Sequence, residues 1–343
     1  KTSFFLLLLL ILKRNLNTYL CIVILIRSML NRRHLRIKVF QAIYSYLRGA
    51  KNDMGIGEKE LITSVNRIHE LFVFHVSVFT ELHRFAEKTI EERKKKQLPT
   101  KEDLNPNLRF VDNELLKSLT VSESLQESIE KYKISWIDNE DIIQKLYKQI
   151  EDSKAFARYM NAEEVDTDAQ KSFVLKLYRE FVADNDVLQD LFEDRSIHWI
   201  DDHYFVCGYV VKFFKGFSTK FSDNFRVPSL FKDLEDDTEF FKTLYRKTLL
   251  NNKEYEAIIM EKAKNWDVDR IAIVDFILMK MAVCELVKIT SIPIKVTLNE
   301  YIELSKTYST PKSRMFINGV LDKIVPELKE KGEIKKIGRG LMN

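Results

Sequence analysis

Hydrophobic residues recur every three or four positions along most of the chain. This spacing predicts helices at about 61–84 and several more between 112 and 216. An earlier segment, 29–49, shows the clearest single stripe, formed by Leu35, Val39, Ile43 and Leu47. No comparable run alternates with the period of two that is typical of strands. The pattern therefore predicts an all-α fold.

The charged residues at the start of this segment are unfavourable for a helix. Its first turns are cationic, with Arg32, Arg33, His34, Arg36 and Lys38. The start of a helix has a partial positive charge, so each cation there destabilises the helix by a few tenths of a kcal/mol. One interpretation is that these are ordinary solvated arginines on a surface helix.

The segment 265–289 is apolar on nearly every side, which predicts a largely buried central helix capped by Asp267 or Asp269. The charged residues inside it are Asp275, Lys280 and Glu285. An isolated buried charge is costly, so we expect each of these three to reach water or a partner.

Capping signals predict two further helices. Thr297 and Glu300 form a T-x-x-E pattern, which predicts a capping box at the start of a short helix. Thr310 followed by Pro311 predicts a cap and a first helical residue. We expect the second helix to end near Pro326, because proline disrupts a helix interior.

Composition agrees with a helical fold and restricts the chemistry. Among 343 residues, Gly (9) and Pro (6) are scarce, which disfavours an all-β or loop-rich fold. The formal net charge of +4 is small, so any affinity for a polyanion must come from local clustering. The cysteines, Cys21, Cys207 and Cys284, are far apart, which predicts a reducing compartment and no disulfide framework.

The first 28 residues differ from the rest. Two apolar runs, 4–12 and 19–26, are separated by Lys13 and Arg14, and each is shorter than the roughly 18–20 residues of a spanning helix. Three interpretations remain open: translated upstream sequence, an atypical membrane anchor, or a signal peptide. We expect the mature protein to begin near Met29 and to be soluble and cytoplasmic.

Catalytic and metal-binding patterns are sparse. The stretch HWIDDH (198–203) holds two histidines, but a spacing of five does not place both rings on one helix face, so a polar capping turn is expected. We expect His69, His75 and His83 to be packed or surface residues rather than metal ligands. The sequence has no Walker motif, glycine-rich dinucleotide loop, G-x-S-x-G or Cys-x-x-Cys. We therefore predict no catalytic residue, metal, cofactor or small-molecule substrate.

Three motifs carry a resemblance to a known family. DRIAIVDFILMKMAVCEL and IPIKVTLNEYIELSKTYSTPKSRMFINGVLDKIVPEL, in that order, resemble the C-terminal subdomain of the NusB transcription antitermination factors. RRHLRIKVFQAIYSY resembles the family's arginine-rich first helix. The resemblance covers about 29–50 and 230–328, and it implies a NusB-like helical bundle of two small subdomains. Residues 51–229 depart from the family pattern as an inserted helical domain, and 329–343 are expected to form a basic flexible tail.

The resemblance implies a function in RNA binding rather than catalysis. NusB proteins bind the single-stranded boxA element of ribosomal RNA transcripts, together with a NusE-type small-subunit ribosomal protein, in the transcription elongation complex. Two alternatives remain: an RNA-binding module of an rRNA-modifying system, or a membrane-tethered helical interaction protein. The absence of a glycine-rich S-adenosylmethionine loop and of a catalytic Cys pair argues against an rRNA methyltransferase.

Site residues follow from the matched motifs. Cations at a helix start are tolerated when phosphates lie opposite them, so the expected phosphate contacts are Arg32, Arg33 and Arg36. His34 stands where other members often have Arg, and its contribution at neutral pH is doubtful. The remaining expected RNA contacts are Tyr44, Lys280, Lys312, Arg314 and Phe316.

Some of these residues have a second interpretation. Phe316 shares a stripe with Val320 and Ile324 and is equally explained as core. Tyr44 is also expected near the ribosomal-protein partner, where Asp275 matches an acidic position of the family. The motif residues expected to be purely structural are Asn299, Glu300, Asn318 and Gly319.

Overall fold

The computed structural model describes residues 28–49, 53–218, 225–264 and 271–341. Throughout these ranges the regular structure is helical, as the hydrophobic pattern predicts. The chain divides into two compact units. Among the described residues, the discontinuous unit comprises those within 30–65 and 231–341, and the inserted unit comprises those within 66–230 together with 28–29.

The discontinuous unit is built around one buried helix. Its helices are α1 (Arg32–Arg48), the start of α2 (Met54–Lys94), α11 (Leu234–Leu250), α12 (Asn252–Lys262), α13 (Ile273–Lys288), α14 (Ile294–Tyr308) and α15 (Pro311–Glu330). Helix α13 packs against α1, α11, α12, α14 and α15. Nearly all of its side chains from position 277 to 286 are buried, so it is the central helix that the sequence predicts.

The inserted unit contains the rest of α2 and a series of shorter helices. These are α3 (Lys101–Leu104), α4 (Glu114–Thr120), α5 (Glu123–Tyr132), α6 (Glu140–Glu151), α7 (Lys154–Met160), α8 (Thr167–Leu177), α9 (Asp186–Arg195) and α10 (His203–Lys215). A π-helical turn, Tyr178–Ala183, directly follows α8.

Aromatic side chains of α2 and α10 form the centre of the inserted unit. The Phe72 ring lies 5.3 Å from that of Phe213, edge to face, and Phe79 lies 5.3 Å from Phe214 in the same geometry. Edge-to-face pairs are a preferred arrangement of buried rings. His69, His75 and His83 all lie in α2 and are buried in this packing, which confirms that they are packed residues.

One predicted helix start and one predicted helix end are wrong, whereas the Thr310–Pro311 start is confirmed. Helix α14 begins at Ile294 after Pro293, so Thr297 and Glu300 lie inside it and do not form a capping box. Helix α15 does start at Pro311 with the Thr310 hydroxyl as its cap, but it continues past Pro326 to Glu330. Pro326 is on the exposed face, and burial of Leu328 prolongs the apolar stripe beyond it.

The segment predicted to be a flexible tail folds back on the discontinuous unit. Lys336 Nζ donates to the backbone oxygens of Glu285, at 3.2 Å, and Ile289, at 2.8 Å, at the end of α13. The Ile337 amide donates to the oxygen of Thr290 at 3.1 Å. These bonds fix the C-terminal segment against the end of α13 and the residues that follow it.

Some predictions concern residues that the structure does not describe, and the domain boundaries stay untested. The proposed caps Asp267 and Asp269 and the apolar runs before position 28 lie outside the described residues. The family boundaries at 29–50, 51–229 and 230–328 stay a prediction. No described helix combines the length and the apolar character that crossing a membrane requires.

Candidate nucleic-acid interface

The start of α1 is capped by its own residues. The Asn31 side chain accepts hydrogen bonds from the amides of Arg33, at 2.9 Å, and His34, at 3.2 Å. The His34 ring nitrogen Nδ1 accepts from the Asn31 amide at 3.4 Å. Burial and the neighbouring Arg33 lower the pKa of His34 to about 4, so this ring is neutral near pH 7. The doubt about His34 as a phosphate contact is therefore well founded.

Arg36 has a different role from the one predicted. It is 2% exposed, and its Nε and Nη2 donate to the two carboxylate oxygens of Glu285 at 2.8 and 2.7 Å. The hydroxyls of Thr297 and Tyr301 donate to the same carboxylate at 2.8 and 3.1 Å. Arg36 cannot bind phosphate while it holds this fully buried anion, so its assignment to RNA is wrong.

Arg33 also pairs with a carboxylate, but at the surface. Its Nε and Nη2 donate to Glu300 at 2.8 and 2.7 Å, and its side chain is 46% exposed. The neighbouring Arg33 guanidinium lowers the pKa of the Glu300 carboxyl. Exposed pairs of this kind contribute only about 0–1 kcal/mol, so Arg33 can exchange Glu300 for a phosphate at little cost.

Arg32 is turned towards α11. Its guanidinium nitrogens lie 2.5 Å from Asp236 Oδ2 and 3.1 Å from Asp237 Oδ1. The central carbon of the guanidinium, Cζ, stacks 4.2 Å from the centre of the Phe240 ring. Three contacts within the unit thus hold a side chain that is about a quarter exposed. We therefore expect Arg32 to contribute less to RNA binding than Arg33.

The exposed edge of α1 combines a cation with an aromatic ring. Arg33 and Tyr44 are eleven residues apart, which is close to three full turns, so they lie on one face at about 16 Å separation. Phe40, between them on that face, packs 5.0 Å from the ring of Tyr308 at the end of α14. Tyr44 is 38% exposed and lies 6.4 Å from the Phe40 ring.

The turn from α14 to α15 adds two cations next to Tyr308. Lys312 and Arg314 are exposed in the first turn of α15, and Lys312 is four residues beyond Tyr308, within about 14 Å along the chain. We call Arg33, Tyr44, Tyr308, Lys312 and Arg314 together the α1/α14 edge. A half-buried ring, an exposed ring and three exposed cations are the residue types that bind a base and phosphates of a single strand.

Three other predicted contacts are buried. Phe316 is 6% exposed on the core stripe of α15, which supports its interpretation as core. Lys280 Nζ is held by Glu256, at 2.6 Å, and by Asn252, at 2.8 Å. Asp275 accepts a hydrogen bond from the Ser309 hydroxyl at 2.5 Å and is also buried. None of the three presents its side chain to a ligand.

The motif residues expected to be structural occupy helix interiors. Glu300 anchors Arg33, and the Asn318 amide donates to Asp322 at 2.9 Å one turn further along α15. Asn299 is exposed in α14, and Gly319 is half-buried in α15. Sequence reasoning missed Tyr308, although its position two residues before the Thr310 cap was a usable signal.

The histidine-rich stretch 198–203 does not bring its two histidines together as ligands. A 3₁₀ turn, Ile197–Trp199, leads into α10, and Asp202 stands at the N-cap position without a side-chain cap bond. His203 instead lies beside Cys207, which is also on α10, and beside His75, which is on α2. Sequence spacing could not reveal this group, because His75 is more than a hundred residues away.

Comparison with known proteins gives one family. A model described as the NusB family matches residues 219–326. The chain is 44% identical over 104 residues to the transcription antitermination protein NusB of Salinibacter ruber. It is 39% identical over 105 residues to the protein of that name from Chloroherpeton thalassium, and 39% identical over 101 residues to that from Listeria monocytogenes.

The matched regions cover only part of this chain and only part of each relative. They cover 30%, 31% and 29% of this chain and 65%, 50% and 77% of the respective relatives. They fall in the C-terminal third, which contains α11–α15 and the α14–α15 turn of the α1/α14 edge. No solved structure matches the chain.

Proposed function

Because this chain is a member of the NusB family, we propose that it is a non-enzymatic RNA-binding factor in transcription antitermination. In this proposal it binds boxA-like single-stranded RNA of ribosomal RNA transcripts, within the elongation complex. The observation that carries the proposal is the α1/α14 edge, where the exposed Tyr44 shares a face of α1 with Arg33.

The chemistry of the edge suits a single strand better than a duplex. Unstacked bases bind aromatic faces, whereas bases inside a duplex are not available for stacking. Tyr44 offers such a face, and Arg33 lies on the same side of α1. An arginine fork can also bind phosphate through two parallel hydrogen bonds. Lys312 and Arg314 extend the positive charge beyond the tyrosine.

A NusE-type small-subunit ribosomal protein is part of the proposal through family membership. Asp275, the residue expected to face this partner, is buried and held by Ser309. Tyr44 remains exposed and is the better candidate for a shared surface. We therefore expect the partner to strengthen RNA binding without direct use of Asp275.

The test is fluorescence anisotropy of a labelled boxA-like RNA across a salt series, with and without the ribosomal protein. Arg33→Ala should weaken binding and lower the salt slope by about 0.7, the value for one phosphate contact on a single strand. Tyr44→Ala should cost about 1–3 kcal/mol through lost stacking and leave the slope nearly unchanged.

A matched control is available on α15. Lys329 is exposed like Lys312 but lies seventeen residues further along the helix, on a different face. Lys312→Ala should therefore lower the salt slope, whereas Lys329→Ala should not. Equal slopes for wild type, Arg33→Ala and Lys312→Ala would refute RNA binding at the α1/α14 edge.

A further inference from the structure

A cluster of potential metal ligands lies in the aromatic core of the inserted unit. His75 of α2 and His203 and Cys207 of α10 each place one ligand atom so that all three atoms lie within 4.8 Å of one another. His75 and His203 are buried, and Cys207 is half-buried. Three polar side chains of the types that bind transition metals thus converge inside apolar surroundings.

The hydrogen bonding of His75 is incomplete. The Tyr178 hydroxyl lies 3.0 Å from Nδ1, while Nε2 is buried without a hydrogen-bond partner among the residues that the structure describes. Nearly all buried polar atoms in proteins have a partner, so an unpartnered one calls for an explanation. A metal-binding histidine has one nitrogen on the metal and the other on a neighbouring group, and Tyr178 provides that second contact.

The distance between the two ligand atoms on α10 fits a tetrahedral metal site. His203 Nε2 lies 3.5 Å from Cys207 Sγ, one helical turn away. Zinc bonds of about 2.0–2.1 Å to nitrogen and 2.3 Å to sulfur, at tetrahedral angles, place these two ligand atoms about 3.6 Å apart. Two ligands therefore already have the separation that a tetrahedral ion requires, and His75 completes the third position.

The backbone beside the cluster is unusual. Tyr178 begins the π-helical turn and Ala183 ends it, and the Ala183 oxygen lies 2.8 Å from His203 Nε2. Single π turns inside helical segments occur frequently at functional sites. Here the turn provides a hydroxyl beside His75 and a carbonyl oxygen beside His203.

The cluster borders a small surface pocket. His203 contributes to a small surface pocket whose other lining residues are Gln189, Phe192, Glu193, Trp199 and Ile200. Exposed carboxylates are concentrated around this region, at Asp184, Asp186, Asp190, Glu193, Asp194 and Asp201. Charge of one sign along a surface raises the local concentration of the opposite ion.

We propose that His75, His203 and Cys207 bind one Zn²⁺ ion. Two imidazoles and one thiolate are a ligand set that zinc favours, and three protein ligands leave a fourth position for water. On binding, the ion replaces the thiol proton of Cys207, which passes to solvent. The ring proton of His203 moves from Nε2 to Nδ1, so that Nε2 gives up its contacts with the Ala183 oxygen and the Gln189 amide and binds the ion. The site is separate from the α1/α14 edge and does not depend on the proposed RNA function.

The experiment uses the full, untagged chain, first stripped with a chelator and then titrated with Zn²⁺ against a chromogenic chelator. We expect one bound ion per chain by elemental analysis. Co²⁺ in place of Zn²⁺ should give a thiolate-to-metal charge-transfer band. Cys207→Ser and His75→Gln should each weaken Zn²⁺ binding at least tenfold, and Cys207→Ser should abolish the band.

Cys284→Ser is the matched control, because Cys284 is a buried free thiol in the discontinuous unit. It should bind Zn²⁺ and show the Co²⁺ band as the wild type does. Circular dichroism checks the fold of each variant, and the wild-type band is informative even if a variant does not fold. Binding below a tenth of an ion per chain, a wild type without the band, or folded variants with unchanged affinity would overturn the proposal.

Discussion

Replacement of Arg36 by Met should destabilise the discontinuous unit strongly. Glu285 is 0% exposed and accepts four hydrogen bonds, two of them from Arg36. A hydrogen bond to a charged group contributes about 1.5–3 kcal/mol, and removal of one partner of a buried ion pair costs about 3–5 kcal/mol. We expect Arg36→Met to lower the free energy of unfolding by about 3–5 kcal/mol, because it leaves a buried carboxylate with only two hydroxyl donors.

The double variant Arg36→Met/Glu285→Gln separates the buried charge from the packing. Glutamine keeps an acceptor for Thr297 and Tyr301 but removes the charge, so the double variant should be more stable than Arg36→Met alone. Arg33→Met is the matched control, since it breaks a similar two-bond pair on the same helix at the surface. Its cost should stay below about 1 kcal/mol.

Hydrogen–deuterium exchange of the α1 and α13 amides, together with urea unfolding, confines this measurement to the discontinuous unit. A cost below about 1 kcal/mol for Arg36→Met, or a double variant no more stable than the single one, would refute the assignment of Arg36 as the counterion of Glu285.

Two further predictions concern packing and protonation. Gly57→Ala should lower the free energy of unfolding by about 1–3 kcal/mol, because its Cβ would lie 2.2 Å from the hydroxyl of the buried Tyr245. Gly208→Ala, whose Cβ would have nothing within 4 Å, should be neutral or stabilising. Equal melting temperatures for the two variants would contradict this. Burial lowers the pKa of His69 from 6.5 to about 4, so the unfolded chain binds more protons between these values and stability should rise with pH across them. His69→Gln should flatten that rise by about 2–4 kcal/mol in urea melts at pH 4 and pH 7, and an unchanged profile would contradict the assignment.

Helix positions were predictable wherever one local signal dominated. The stripe in α1 and the Thr310–Pro311 start of α15 are set by residues close in sequence, and both are present. The need for partners inside α13 was also predictable, since burial of a charge has a cost in any fold. The identity of those partners was not, because Glu285 and Arg36 are 249 residues apart.

The α1/α14 edge was only partly predictable for the same reason. Sequence motifs indicate residue types, but exposure depends on which neighbour covers each side chain. Phe316 and Tyr44 are both motif aromatics, yet one lies on the core stripe of α15 and the other on the outer face of α1. Only the tertiary packing around α1 and α15 decides between them.

The cationic start of α1 is explained first by the fold and only then by a ligand. Three arginines of one helix reach three different helices: Arg32 reaches α11, Arg33 reaches α14 and Arg36 reaches α13. A cation at a helix start costs a few tenths of a kcal/mol, whereas loss of the buried pair of Arg36 costs about ten times more. The unfavourable sign is therefore retained because the same charges hold the discontinuous unit together. A phosphate can add only where such a pair is exposed, and among these three arginines that condition is best met by Arg33.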